Sequence, residues 1–156
     1  MEEDLLGRIR RHTRRLAEAR EDGLLARLRR RTAELPESRM QVSPQQGQLL
    51  ALLAKLIGAR AVLEVGVFTG YSSICMARSL PPDGRLVACD ISREWTETAE
   101  EYWKRAGLEG RMELRLGPAS RTLRELIEEG NEGCFDMAFI DGSDVEDGEQ
   151  QTGGIE

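Results

Sequence analysis

Four short strand-like segments alternate with helix-length segments between residues 61 and 141. The strand-like segments are AVLEVG (61–66), RLVACD (85–90), RMELRL (111–116) and FDMAFID (135–141). The first, AVLEVG, is an apolar run that suits a central strand of a parallel sheet. The segments between them read as helices from about Gly70 to Leu80, from a cap at Ser92 to about Ala106, and from Pro118 to about Glu129. This alternation predicts an α/β fold: a doubly wound parallel sheet with helices on its faces.

Two helical stretches precede the first strand. Residues 1–36 form an N-terminal helical segment, with Gly23 as its break and LPES as the turn that ends it. In VSPQQGQLLALLAKLIG, Ser43 is an N-cap, Pro44 suits the first helical position and Gln46 completes a capping box. That helix runs to about Ile57. Its leucines at 49, 50, 52, 53 and 56 exceed one stripe, which predicts a largely buried helix. After Asp141 the pattern stops, and residues 143–156 read as a disordered acidic tail. The expected organisation is 1–36 helical, 37–142 sheet domain, 143–156 tail.

Composition narrows the setting. No apolar run is long enough to span a bilayer, and MEEDLLGRIR is not a secretory leader. Cys75, Cys89 and Cys134 are too scattered for a disulfide framework or a zinc site, so buried free thiols and a cytoplasmic location are expected. The net charge of −6 resides in residues 141–156, which carry six acids and no base. Residues 1–31 hold ten Arg and six acids, which raises nucleic-acid binding. Interleaved acids and the lack of aromatic residues favour a solvated helix face instead. His12, the single histidine, sits among those arginines and offers no catalytic arrangement.

The stretch VLEVGVFTGYSS carries the chemistry. A glycine loop after a first strand binds a ligand outside the sheet's carboxyl end. The dinucleotide fingerprint GxGxxG is replaced by ExGxxxG, and no GK[ST] follows for a phosphate loop. Glu64 at that point would repel a pyrophosphate. Asp90, at the end of the second strand, is placed to accept hydrogen bonds from ribose hydroxyls. Glycines alone would only turn the chain. Together with Glu64 and Asp90 they point to a cationic nucleoside without phosphates, and S-adenosylmethionine has that chemistry.

In this order, MQVSPQQGQLL, LEVGVFTGYSS, LVACD, LRLGPA and FDMAFIDG resemble the cation-dependent class I O-methyltransferases of the caffeoyl-CoA and catechol type. The likeness covers about residues 35–142. It implies a Rossmann-like sheet, S-adenosylmethionine as cofactor, and methyl transfer to a hydroxyl of a small phenolic acceptor. By resemblance, Val42 flanks the cofactor, and Glu64, Gly66, Val67 and Ser72 surround its methionine end. Asp90 holds the ribose, and Gly117 and Ala119 lie by the adenine. Asp141 stands at the methyl end as catalytic residue and metal ligand, for a divalent cation such as magnesium. The family is often dimeric, so a homodimer is an expectation.

The sequence departs from the family after Gly142. Asp144 stands where the family has a lysine, and the Asp–Asn pair that completes the metal site has no counterpart. The chain reads as the cofactor-binding half of a methyltransferase, cut or shifted out of register. An inactive cofactor-binding module and an RNA-modifying protein are the alternatives to an active enzyme. Without a fifth strand, Ala138, Phe139 and Ile140 are expected on an open sheet edge.

Overall fold

The computed structural model describes residues 4–141. Among them are six helices, α1 (Leu5–Glu18), α2 (Gly23–Ala33), α3 (Pro44–Leu56), α4 (Tyr71–Ala77), α5 (Arg93–Arg105) and α6 (Ala119–Glu128). The strands are β1 (Ala61–Val65), β2 (Arg85–Asp90), β3 (Met112–Leu116) and β4 (Met137–Ile140). All pair in parallel in the order β3-β2-β1-β4. The order reverses between β1 and β4, which opens a crevice at the carboxyl ends of the strands. The reading of residues 143–156 as a tail lies outside the described residues.

Caps fix the helix starts as the sequence implies. Asp22 accepts from the amides of Leu24 and Leu25 and starts α2. At α3, Ser43 Oγ accepts from Gln46 N at 3.3 Å and Gln46 Oε1 accepts from Ser43 N at 3.0 Å, closing the capping box. Along β1 and β2 the side chains alternate between two cores. Val62, Leu86 and Ala88 pack with α4 residues Ile74 and Met76, with Leu28 of α2 and with Trp103 of α5. Val65, Val87 and Cys89 pack with Leu126 of α6 on the other face.

Three expectations need correction. The helix α3 is not largely buried: Leu49, Leu52, Leu53 and Leu56 are 42–71% exposed. Its inward face is Gly47, Leu50 and Ala54, small residues that bring it close to α4. A Cβ on Gly47 would stand 2.8 Å from both Cys75 Sγ and Tyr71 Cε1. Cys75 and Cys89 are buried, but Cys134 is exposed. The strand β4 is an edge among the described residues, yet it is not uniformly open: Met137 and Phe139 pack into the core while Ala138 and Ile140 face out.

The N-terminal helices are joined to the sheet domain through buried contacts. Leu28 is fully buried in the main core. The buried hydroxyls of Thr32 and Thr69 lie 2.8 Å apart. Tyr71 Oη donates to Glu21 Oε1 at 2.6 Å, and Arg29 Nε and Nη2 donate to the same carboxylate. The N-terminal arginines also pair with acids: Arg14 with Glu18 and Arg31 with Glu101. No helix among the described residues is long and apolar enough to cross a membrane.

Candidate functional site

The strand ends converge on one cleft of about 510 Å³. Ladder bonds continue past each strand and hold the ends in register. Gly66 N donates to Cys89 O, Gly117 N to Asp90 O and Asp141 N to Val65 O, at 2.9, 2.9 and 2.8 Å. Val42, Gly66, Val67, Ser72, Asp90, Gly117, Ala119 and Asp141 all line this cleft. Residues from five separate sequence segments are thereby gathered at the topological switch point.

Glu64 lies elsewhere. The sequence reading put its carboxylate at the mouth of the loop. In the structure it points to the same side of β1 as Val62, is fully buried, and is not among the lining residues. Ser72 Oγ and Ser73 Oγ each donate to it at 2.5 Å. Burial raises its pKa to about 7, and the two serine bonds only partly oppose this. Its charge therefore reaches the cleft through Ser72 and not by contact. Because the Ser72 proton is given to Glu64, the Ser72 oxygen is left as an acceptor.

Asp90 carries the electrostatic argument instead. Its Oδ2 accepts from Val67 N at 2.8 Å and Phe68 N at 2.9 Å, and its Oδ1 accepts from Ser92 N at 2.8 Å. A carboxylate has about four lone-pair sites, so one remains for a ligand. The loop between Gly66 and Gly70 thus spends two amide donors on the protein's own acid. Phe68 takes a left-handed φ of 53°, and its ring meets Trp95 edge-on at 5.1 Å. The flanking Gly66 and Gly70 have φ of 92° and 83°, which side chains resist.

Sequence reasoning missed several lining residues. Arg39 and Gln41 flank Met40 on the segment after α2, and Phe68, Tyr71, Ile91 and Trp95 supply apolar and aromatic surface. Trp95 was not missed outright: its place in the helix after β2 raises a Trp near the adenine, with helix packing as the default reading. The Tyr71–Glu21 bond had none, since 50 residues separate the partners. Among the described residues no group of three His, Cys, Asp or Glu converges to hold a metal ion. Asp141 is exposed at the cleft edge, and Asp90 is engaged by three amides. These residues by themselves do not fit a divalent-cation site, which needs several oxygen ligands.

A nucleoside cofactor does fit. The volume suits a small molecule. Gly66 and Gly117 bring bare backbone to the cleft, and Ile91 and Trp95 offer apolar surface for a base.

Comparison with known proteins agrees with this architecture. Residues 15–147 match a family model described as O-methyltransferase. The chain is 45% identical over 97 residues to catechol O-methyltransferase domain-containing protein 1 of Mus musculus, covering 62% of this chain and 37% of that one. It is 44% identical over 102 residues to caffeoyl-CoA O-methyltransferase 1 of Eucalyptus globulus, covering 65% and 42%. Among solved structures, the O-methyltransferase TomG from Streptomyces achromogenes, in complex with SAM, superposes with a TM-score of 0.66 at 42% identity, covering 79% and 55%. The chain spans less than half the length of these curated relatives. On the strand order, the gathered cleft and these matches, the chain belongs to the O-methyltransferase family.

Proposed function

We propose that the cleft binds S-adenosylmethionine and serves methyl transfer to a hydroxyl of a small phenolic acceptor. The observation that carries the reading is the capture of the Val67 and Phe68 amides by Asp90. A pyrophosphate needs such amides turned toward it. Here they face a carboxylate, so the loop favours a nucleoside that lacks phosphate and carries positive charge.

Bound here, S-adenosylmethionine would supply an electrophilic methyl group for an acceptor oxygen, with the carbon–sulfur bonding pair left on sulfur. Gly66 and Val67 form the floor under the methionine end, and Val42 flanks it. The Ser72 oxygen accepts from the ligand's ammonium group. The free lone pair of Asp90 receives a ribose hydroxyl. Gly117 and Ala119 border the adenine end beside Ile91 and Trp95. Asp141, at the end of β4, sets a negative charge at the methyl end and is the carboxylate available to take the acceptor's proton. Holding both reactants in line is the main contribution of such a site.

Titration calorimetry of S-adenosylmethionine into this chain tests the reading. Saturable binding that Asp90→Ala removes is the expected result. No binding by a chain that melts cooperatively would refute it.

A further inference from the structure

One wall of the cleft carries donors that the protein does not use. The segment after α2 makes a tight turn at Ser38–Met40, and both Arg39 and Gln41 line the cleft from it. Arg39 is the single cation among the lining residues, is exposed, and has no hydrogen bond or ion pair among the described residues. Beside Arg39, the Gln41 amide nitrogen is buried without an acceptor. A buried donor in a native fold ordinarily has a partner, and Gln41 is itself one of the residues that line the cleft. The acids of the cleft, Asp90 and Asp141, come from the strand ends. Negative charge thus lies at the strand ends, and positive charge with an unpaired N–H lies on the Arg39–Gln41 segment.

We propose that Arg39 and Gln41 together hold an oxyanion, a carboxylate or phosphate, and that this group belongs to the methyl acceptor. The proposal rests on the methyl-transfer reading above and narrows its substrate class to acidic phenols. A guanidinium gives such a group a charge-assisted, two-point contact, and the amide adds a third donor. The other source of an oxyanion is the carboxylate of the cofactor itself. The exposed position of Arg39 favours the acceptor, because the cofactor lies against the buried strand ends.

The test uses the whole chain saturated with S-adenosylhomocysteine and two probes that differ by one carboxylate, 3,4-dihydroxybenzoate and catechol. Calorimetry should show the benzoate binding at least tenfold tighter than catechol. Arg39→Gln should bring the two to within about twofold, and Gln41→Leu should narrow the gap severalfold. Affinity for S-adenosylhomocysteine should stay within twofold in Arg39→Gln, and its melting temperature should match the parent. Equal affinity of the parent chain for the two diols would overturn the inference alone. So would an Arg39→Gln variant that loses S-adenosylhomocysteine affinity while keeping the diol ratio, since the oxyanion would then be the cofactor's. A parent chain that folds but does not bind S-adenosylhomocysteine would sink the methyl-transfer reading, and this inference with it.

Discussion

The Ser72 hydroxyl donates to the Glu64 carboxylate at 2.5 Å, so a residue on the cleft wall reports the charge of one buried behind it. Burial raises the Glu64 pKa to about 7, and the charges of Asp90 and Asp141 push in the same direction. Folding therefore favours the protonated acid. The stabilisation is complete below the ordinary value of 4.5 and is lost as pH rises through about 7. Its size is on the order of 3 kcal/mol. Denaturation of Glu64→Gln and the parent chain at pH 5 to 8 should show the difference shrinking or reversing toward high pH. A difference that stays constant across this window would remove Glu64 as the titrating group.

Asp90 gives a second prediction, because it joins the loop to β2. Replacing it with Asn keeps one acceptor but turns an N–H₂ toward amides that need an acceptor. Each buried amide left unpaired costs about 1–3 kcal/mol. Phe68 would also lose the bond that helps hold its left-handed φ of 53°. Asp90→Asn should lower stability by about 2–4 kcal/mol and weaken S-adenosylhomocysteine binding at least tenfold. Unchanged binding by a folded variant would show that the loop, and not this carboxylate, selects the ligand.

Gly70 tests the close approach of loop and α5. It has a φ of 83°, and a Cβ there would stand 2.8 Å from Ala99 Cβ and 3.1 Å from the Ala99 Cα. Neither contact is a flexible side-chain end, so the clash cannot relax cheaply. Gly70→Ala should cost at least about 2 kcal/mol. A melting temperature equal to that of the parent would mean the helix gives way.

The alternation of strands and helices was legible from short strand-like segments at regular spacing with apolar β1 at their head, and β2 fell on the residues expected for it. The capping box at Ser43 and Gln46 was legible because its chemistry is local. Glu64 was misplaced for a physical reason. Period-two alternation puts it on the Val62 side of the sheet, under α4, while the strand end that opens to the cleft lies one residue on. Burial of α3 was overestimated because leucine count says nothing of which face has a partner. Arg39 gave no signal, and Gln41 only its place in the segment from Met40 to Val42 that the resemblance sets beside the cofactor, since an unsatisfied donor is visible only once its surroundings are known.

The leucines of α3 give a fourth prediction. Leu49, Leu52, Leu53 and Leu56 follow a helical repeat on its outer face, and Ile140 on β4 is 66% exposed. Apolar surface of this kind associates in water. Sedimentation should show self-association that grows with concentration, and Leu52→Glu with Leu56→Glu should reduce it. A monodisperse parent monomer with a cooperative melt would count against it.

The hydroxyl pair of Thr32 and Thr69 ties α2 to the loop between Gly66 and Gly70, and its proton order can be read from geometry. Thr32 Oγ1 also lies 2.9 Å from Leu28 O, which can only accept. The Thr32 proton goes there, leaving Thr69 to donate to Thr32 across 2.8 Å. The two threonines are thus unequal. Thr69→Val removes a donor and leaves Thr32 bonded to Leu28. Thr32→Val strands the buried Thr69 hydroxyl, a loss of about 1–3 kcal/mol. Thr32→Val should therefore be the more destabilising, and adding Thr69→Val to it should cost little further or recover stability. Strictly additive losses in this double-mutant cycle would mean that the two hydroxyls do not interact.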